Sequence, residues 1–377
     1  MPILEITTMV GCPLVCKYCP QDKLNKNYPK SSKKFLSLDD FKVILEKLPQ
    51  DTIINFCGFS EPFSNPNCLD LIKYAAQKKF QLFIYTTLQG ASREAINYLC
   101  RLCDEGKIAR FELHLPDGHN NMPGFKLTEE YLYGIKKVSK QNVVKFMTMS
   151  PDGVIHPKVY DYIKTSSLNS IMKKLPHGWR GIRRAGNLQQ NKIDPYSLTN
   201  TINITKSVSC SYTPFYDQNV LMPNGDVALC CMDYSLKHII GNLLVDSYSD
   251  LFKSKEFLRL MDENRSIGHS EYSLCKSCEK ANCHLIGDDG FIVAKRAIEV
   301  NGRRTTRLSI ALSKYKIPLF ILDKVVDFSR AINRFKYRNK KHLTTKRLTN
   351  KESRRLDQNL LLRKNGLGKK ILPDTEA

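Results

Sequence analysis

Three cysteines near the start, Cys12, Cys16 and Cys19, lie in Gly11-Cys12-Pro13-Leu14-Val15-Cys16-Lys17-Tyr18-Cys19-Pro20, at the spacing Cys-x-x-x-Cys-x-x-Cys. A disulfide joins two sulfurs, and a tetrahedral zinc site wants a fourth ligand nearby. Three thiolates suit an iron–sulfur cluster whose remaining iron is open to a ligand that is not protein. A zinc knuckle or three ordinary buried thiols are the alternatives. A second set lies far downstream. Pro223-Asn224-Gly225-Asp226 marks a hairpin between two strand-like pieces, which returns Cys230 beside Cys210. Cys275-Lys276-Ser277-Cys278 adds a tight pair, so a four-thiolate site is expected, with a structural zinc ribbon as its alternative.

The elements that must position these thiols alternate. Strands are expected at 3–8, 52–57, 80–86, 109–115, 143–149 and near 171–175. Helices are expected at 38–48, 67–78, from the Ser92 cap to about Glu105, at 128–139 and near 158–164. Residues 21–34, polar and marked by proline, read as loop, and 248–262 reads as a helix. Strand and helix in regular alternation argue for a parallel sheet, open or part of a barrel. In such folds the chemistry sits at the C-terminal ends of the strands, where Cys12 falls.

The cysteine triad, with Tyr18 directly before its last member, resembles the radical S-adenosylmethionine (SAM) superfamily. That resemblance implies a partial (βα)6 TIM-like barrel, a [4Fe–4S] cluster on Cys12, Cys16 and Cys19, and SAM on the open iron. Reduction then splits the sulfonium to a 5′-deoxyadenosyl radical, and Tyr18 packs near the adenine. Gly58-Phe59-Ser60-Glu61-Pro62 stands where the family carries Gly-Gly-Glu-Pro, so Ser60 and Glu61 are implied in SAM binding, although Phe59 and Ser60 replace the glycines. Thr86, in Tyr85-Thr86-Thr87, and Arg184, in Gly181-Ile182-Arg183-Arg184-Ala185-Gly186-Asn187, are the further SAM contacts, Arg184 as a partner of the carboxylate. The downstream set resembles the SPASM/twitch extension of the same superfamily. Cys210, Gly225 and Cys230 fit its Cys…Gly-x-x-x-x-Cys element, and Cys275 and Cys278 its Cys-x-x-Cys. No cysteine follows Cys283, so one auxiliary [4Fe–4S] cluster is expected, in a small α+β domain, with Cys231 spare and Cys283 either spare or in place of one ligand. The resemblance also implies an external electron donor of flavodoxin or ferredoxin type.

The expected division is a radical SAM core at 1–190, an auxiliary cluster domain at 200–288 and a basic, partly helical extension at 291–377. The chain has 377 residues, enough for about two domains, and carries a net charge of +22. Residues 291–377 hold 23 Lys and Arg against 7 Asp and Glu, so most of that excess is in the tail. An amphipathic stretch at 319–335 with basic groups after it suits an anionic membrane surface, RNA or plain solvation. Neither a signal peptide nor an apolar run long enough to span a bilayer is present, and 13 cysteines in such a chain point to metal chemistry in a reducing, cytoplasmic setting. Cys57 and Cys68 read as core thiols, as do Cys100 and Cys103. His114, Asp117 and His119 follow the fourth strand toward the active face, and Asp233-Tyr234 is expected to line the pocket between domains.

The function expected is hydrogen abstraction from a substrate whose identity the sequence leaves open. A small molecule such as a sugar is favoured, because the first strand begins almost at residue 1, with no room for a leader-recognition module. Peptide or protein maturation, RNA modification steered by the tail and, outside enzymes, a zinc-bound interaction protein are the alternatives.

Overall fold

The computed structural model describes residues 2–148, 150, 152–168, 171, 177, 178, 183–188, 202–213 and 216–283. The expected basic extension at 291–377, and most of the stretch between 188 and 205, lie outside these residues. Nine strands form one sheet. Six run in parallel sequence order: β1 (Ile3–Ile6), β2 (Ile53–Phe56), β3 (Gln81–Thr86), β4 (Ile108–Leu115), β5 (Val144–Thr148) and β6 (His177–Gly178). Between them come α1 (Gln21–Asn27), α2 (Leu38–Glu46), α3 (Cys68–Gln77), α4 (Arg93–Asp104), α5 (Glu129–Val138) and α6 (Pro157–Thr165).

Alternation along each strand decides between barrel and open sheet. Leu4 and Ile6, Ile54 and Phe56, Leu82 and Ile84, and Phe111 and Leu113 enter one apolar core. The same core takes Phe41 and Ile44 of α2, Leu71 and Ile72 of α3, Ile96 and Leu99 of α4, Ile135 of α5 and Val159 of α6. The helices therefore cover one face, whereas a doubly wound sheet needs them on both. Successive strand residues point to opposite faces, so Glu5, Asn55, Tyr85, Arg110, Glu112 and His114 share the other face. Glu5 lies opposite Asn55, and Tyr85 opposite Glu112. This is the partial barrel expected, with a polar inner face.

Local chemistry sets the helix starts. Ser92 accepts from the Ala95 N–H, Ser37 from Asp40 and Thr128 from Tyr131, each satisfying a donor that the first turn leaves open. Three expectations are corrected. Residues 21–27 form helix α1 rather than loop: Leu24 is fully buried, and the Gln21 amide donates to the Phe59 carbonyl at 2.5 Å, so tertiary contacts outweigh a polar sequence. The sixth strand is His177–Gly178, pairing with Met147 and Thr148, and buried Ile171 is helical. The stretch 248–262 is broken at Ser254, which ends a 3₁₀ turn (Asp250–Lys253) and caps α7 (Lys255–Arg265) by accepting from Phe257.

The downstream segment continues the same sheet. Hairpin β8 (Gln218–Leu221) and β9 (Asp226–Ala228) turns at Gly225, whose φ of +87° favours glycine, and β8 runs parallel to β1, Ile3 opposite Gln218 and Ile6 opposite Leu221. Strand β10 (Ile239–Asn242) closes that edge, and β7 (Val208–Cys210) pairs antiparallel with β11 (Ala281–Cys283) as a separate ribbon. No helix among the described residues is long and apolar enough to cross a membrane.

Candidate iron–sulfur sites

The first cysteine loop leaves the C-terminal end of β1 and is fastened to the loop after β4. Lys17 N–H donates to the Asn121 carbonyl at 2.9 Å, and Gly124 N–H to Leu14 at 3.0 Å. Gly124 cannot carry a side chain, since a Cβ there would stand 2.0 Å from the Pro13 carbonyl oxygen. The Gly124→Ala protein is therefore expected to bind less iron at this loop on reconstitution while folding otherwise, read by iron content against far-ultraviolet circular dichroism.

Each thiol of the triad already has a donor or hydroxyl neighbour. Glu61 N–H donates to Cys12 Sγ at 3.4 Å, and the Gln21 amide to Cys19 Sγ at 3.3 Å. The Cys19 thiol donates to the Tyr234 hydroxyl at 3.4 Å, and Tyr18 bonds with Cys16. Burial pushes the Cys12 thiol up to about 11 and Cys16 higher still, so both are protonated at neutral pH until a metal displaces the proton.

Glu61 is buried, and its carboxylate is occupied by the chain itself. Thr87 donates twice, N–H at 2.7 Å and hydroxyl at 2.8 Å, Phe63 N–H donates at 3.4 Å, and the Thr86 hydroxyl also binds it. Thr86 and Glu61 thus brace the β2 and β3 ends against each other, leaving the backbone around Ser60 as the edge beside the cysteine loop. The Ser60 hydroxyl accepts from Met9 N–H at 3.5 Å. Gly58 is required, because a Cβ there would lie 2.5 Å from Thr7 atoms. Phe59, in the place of a family glycine, turns its side chain away and sets its ring 4.3 Å from that of Tyr234.

The second set converges. Cys210, Cys230, Cys275 and Cys278 line one cavity with Cys231, Tyr212, Tyr216, Gln218 and Met232. Thr213 N–H donates to Cys210 Sγ at 3.4 Å and Lys280 N–H to Cys278 Sγ at 3.3 Å, the kind of donor that tunes a cluster. Burial pushes Cys275 and Cys278 each to about 12. Among the described residues no three His, Cys, Asp or Glu side chains converge closely enough for one metal ion. Five cysteines line one cavity, a thiolate donor set of the kind that holds iron–sulfur clusters, so the residues present fit that group.

Lys276, fully buried between Cys275 and Cys278, donates to the Lys206 and Ser266 carbonyls, both at 2.7 Å, the latter at the α7 C-terminus where a cation is favourable. Removing it as Lys276→Ala leaves those carbonyls unmatched and is expected to cost about 2–3 kcal/mol in thermal unfolding.

Other expected residues are held by local bonds. Asp117 Oδ1 accepts from His119 and Asn121 N–H, His119 pairs with Asp152 at 2.7 Å on the surface, and Asp233 accepts from Ser235, Lys237 and His238. His114 sits on the inner face near Tyr85, and burial lowers its pKa to about 4. A histidine protonated in the unfolded chain but neutral when folded contributes stability that is lost as pH falls from 6.5 toward 4. His114→Gln should flatten stability across that window relative to the parent, measured by denaturant midpoints.

The sequence reading missed three groups. Cys231, read as spare, lines the auxiliary cavity. Cys57, read as a core thiol, bonds the carboxylate of Glu5. Glu5 itself is 4% exposed and accepts from Gln218, a cavity-lining residue, at 2.6 Å. Burial raises its pKa against the bonds from Gln218 and Cys57 and the charge of Arg184. The available signal was an acid in the middle of an otherwise apolar strand.

Residues 210–279 match the SPASM family, described as an iron–sulfur cluster-binding domain. Among solved structures, BtrN in complex with AdoMet and 2-DOIA is similar at 16% identity over 75% of this chain and 93% of that one, with a TM-score of 0.48. The anSMEcpe structure with bound AdoMet is similar at 14% identity over 82% and 99%, TM-score 0.43. Streptococcus suis SuiB bound to precursor peptide SuiA is similar at 14% identity over 73% and 69%, TM-score 0.38. No curated protein matches the chain significantly. A SPASM-type iron–sulfur cluster-binding domain at residues 210–279 is thus joined to a partial barrel whose first strand leads into the cysteine loop.

Proposed function

We propose that the enzyme cleaves SAM reductively at a cluster held by Cys12, Cys16 and Cys19 and removes a hydrogen atom from a small, hydroxyl-bearing molecule such as a sugar. Cys210, Cys230, Cys275 and Cys278 would hold one auxiliary cluster, which would supply an acceptor for the electron released as the substrate is oxidised. The observation that carries this reading is that the inner face lies between both cysteine sets. Tyr234, four residues after Cys230, reaches Cys19, and Gln218 links the auxiliary cavity to Glu5. When bound, the first cluster supplies the electron that splits SAM into methionine and the radical that abstracts hydrogen.

The chain supplies the rest. Ser60 and the braced Glu61 backbone frame the amino end of SAM, Tyr18 flanks the adenine, and Arg184 meets the carboxylate. Glu5 and Asn55 offer acceptors side by side on the inner face: the Asn55 amide oxygen is buried with no partner among the described residues, which suits a ligand rich in hydroxyl donors. Glu5, with its raised pKa, takes the proton lost on oxidation. A low-potential protein donor of flavodoxin or ferredoxin type delivers the electron from outside.

The test is anaerobic turnover with SAM, dithionite and a panel of sugars and peptides, following 5′-deoxyadenosine and substrate loss together. Deoxyadenosine formation stimulated by a sugar supports the reading. Stimulation by peptides alone would replace the small molecule with a peptide substrate.

A further inference from the structure

The loop at 183–188, which carries Arg184, is gripped by the auxiliary segment. Arg184, Ala185 and Gly186 take positive φ in succession, +51°, +51° and +80°. Two consecutive non-glycine residues in that region are strained and persist only where surroundings hold them. The holder is Glu279, next to Cys278. Its carboxylate oxygens accept from Arg184 N–H at 3.0 Å and Ala185 N–H at 3.1 Å, two successive amides forming an anion-binding nest. Two more ties fix the loop: the Asn187 amide donates to the Met232 carbonyl at 2.9 Å, and Lys23 of α1 donates to Gly186 at 3.3 Å. The grip sends the guanidinium inward. It lies 5.6 Å from the Tyr234 ring centroid, and its charge acts on Cys19, Cys231 and Glu5.

We propose that Glu279 is a positioning residue: by holding residues 184 and 185 in the left-handed region it aims Arg184 at the carboxylate of a ligand on the N-terminal cysteine loop, so that ordering of the Cys275–Cys278 segment sets affinity for SAM. The inference rests on the reading above, in which that ligand is SAM.

The experiment measures SAM binding to reconstituted, full-length holoenzyme by equilibrium dialysis, with iron content and the EPR signal of the reduced clusters alongside. Glu279→Ala is expected to weaken SAM about tenfold without loss of iron at the first site, and Arg184→Ala to weaken it similarly. The double variant should be no worse than either single one, because both remove the same contact. Glu279→Gln, isosteric and still able to accept one of the two bonds, should fall between, and it serves if the alanine variant fails to load. Adding Ala185→Gly to Glu279→Ala should recover several-fold, because glycine takes a positive φ without a holder; a residue needed only for folding would give no such rescue. Unchanged SAM affinity in Glu279→Ala, or losses that multiply in the double variant, would overturn the inference while leaving the functional reading intact. A wild-type holoenzyme with both clusters that binds no SAM would overturn both.

Discussion

Replacing Cys16 with alanine is expected to bring 5′-deoxyadenosine formation to background while the auxiliary site keeps its iron. Loss of an outer hydrogen-bond partner at a metal site costs about 10–100-fold, and loss of one of three ligands leaves the cluster without a stable seat, so the drop should be larger. Cys16 sits mid-loop, half-buried, between Val15, held at a φ of +50°, and Lys17, pinned to Asn121. No other described thiol lies in that loop besides Cys12 and Cys19, so substitution from a neighbour is not expected. Activity retained above a tenth of wild type would remove the triad from the chemistry.

The second large effect concerns the downstream cavity. Cys230→Ala should reduce iron from about eight to about four per chain, as expected for loss of one of two four-iron clusters, and abolish product while deoxyadenosine still forms. Abstraction would continue, but the electron from the substrate would have nowhere to go. Cys231→Ser provides the contrast. Five thiols line a cavity that needs four. With Cys230 as the ligand, the serine variant keeps its iron; loss of iron in Cys231→Ser and retention in Cys230→Ala would exchange the two assignments.

Much of this was legible in the sequence for physical reasons. Periodicity marked the β1–β5 and α2–α6 elements because each buries one face in a common core, and Ser92 and Thr128 cap helices as their types foretell. The hairpin at Gly225 brought Cys230 to Cys210 because the turn chemistry is local. What failed to show was tertiary. Helix α1 depends on Leu24 and on a Gln21 bond to a residue 38 positions away. The sixth strand is two residues long and has too little pattern to register. Glu61 was singled out by its place after the second strand, and the bonds its carboxylate accepts from Thr86 and Thr87 were not legible in the sequence. Phe59 looked like a departure from a glycine pattern, but its ring closes the contact to Tyr234, which no spacing rule encodes. Glu279 was invisible for the same reason, since its partners lie 94 and 95 positions away.

The most direct measurement is iron and acid-labile sulfide per chain on protein reconstituted without oxygen, with EPR of the dithionite-reduced sample before and after adding SAM. About eight irons and eight sulfides are expected, with two cluster signals and a change with SAM in one of them only. Zinc in place of iron, or a single cluster signal indifferent to SAM, would contradict that expectation.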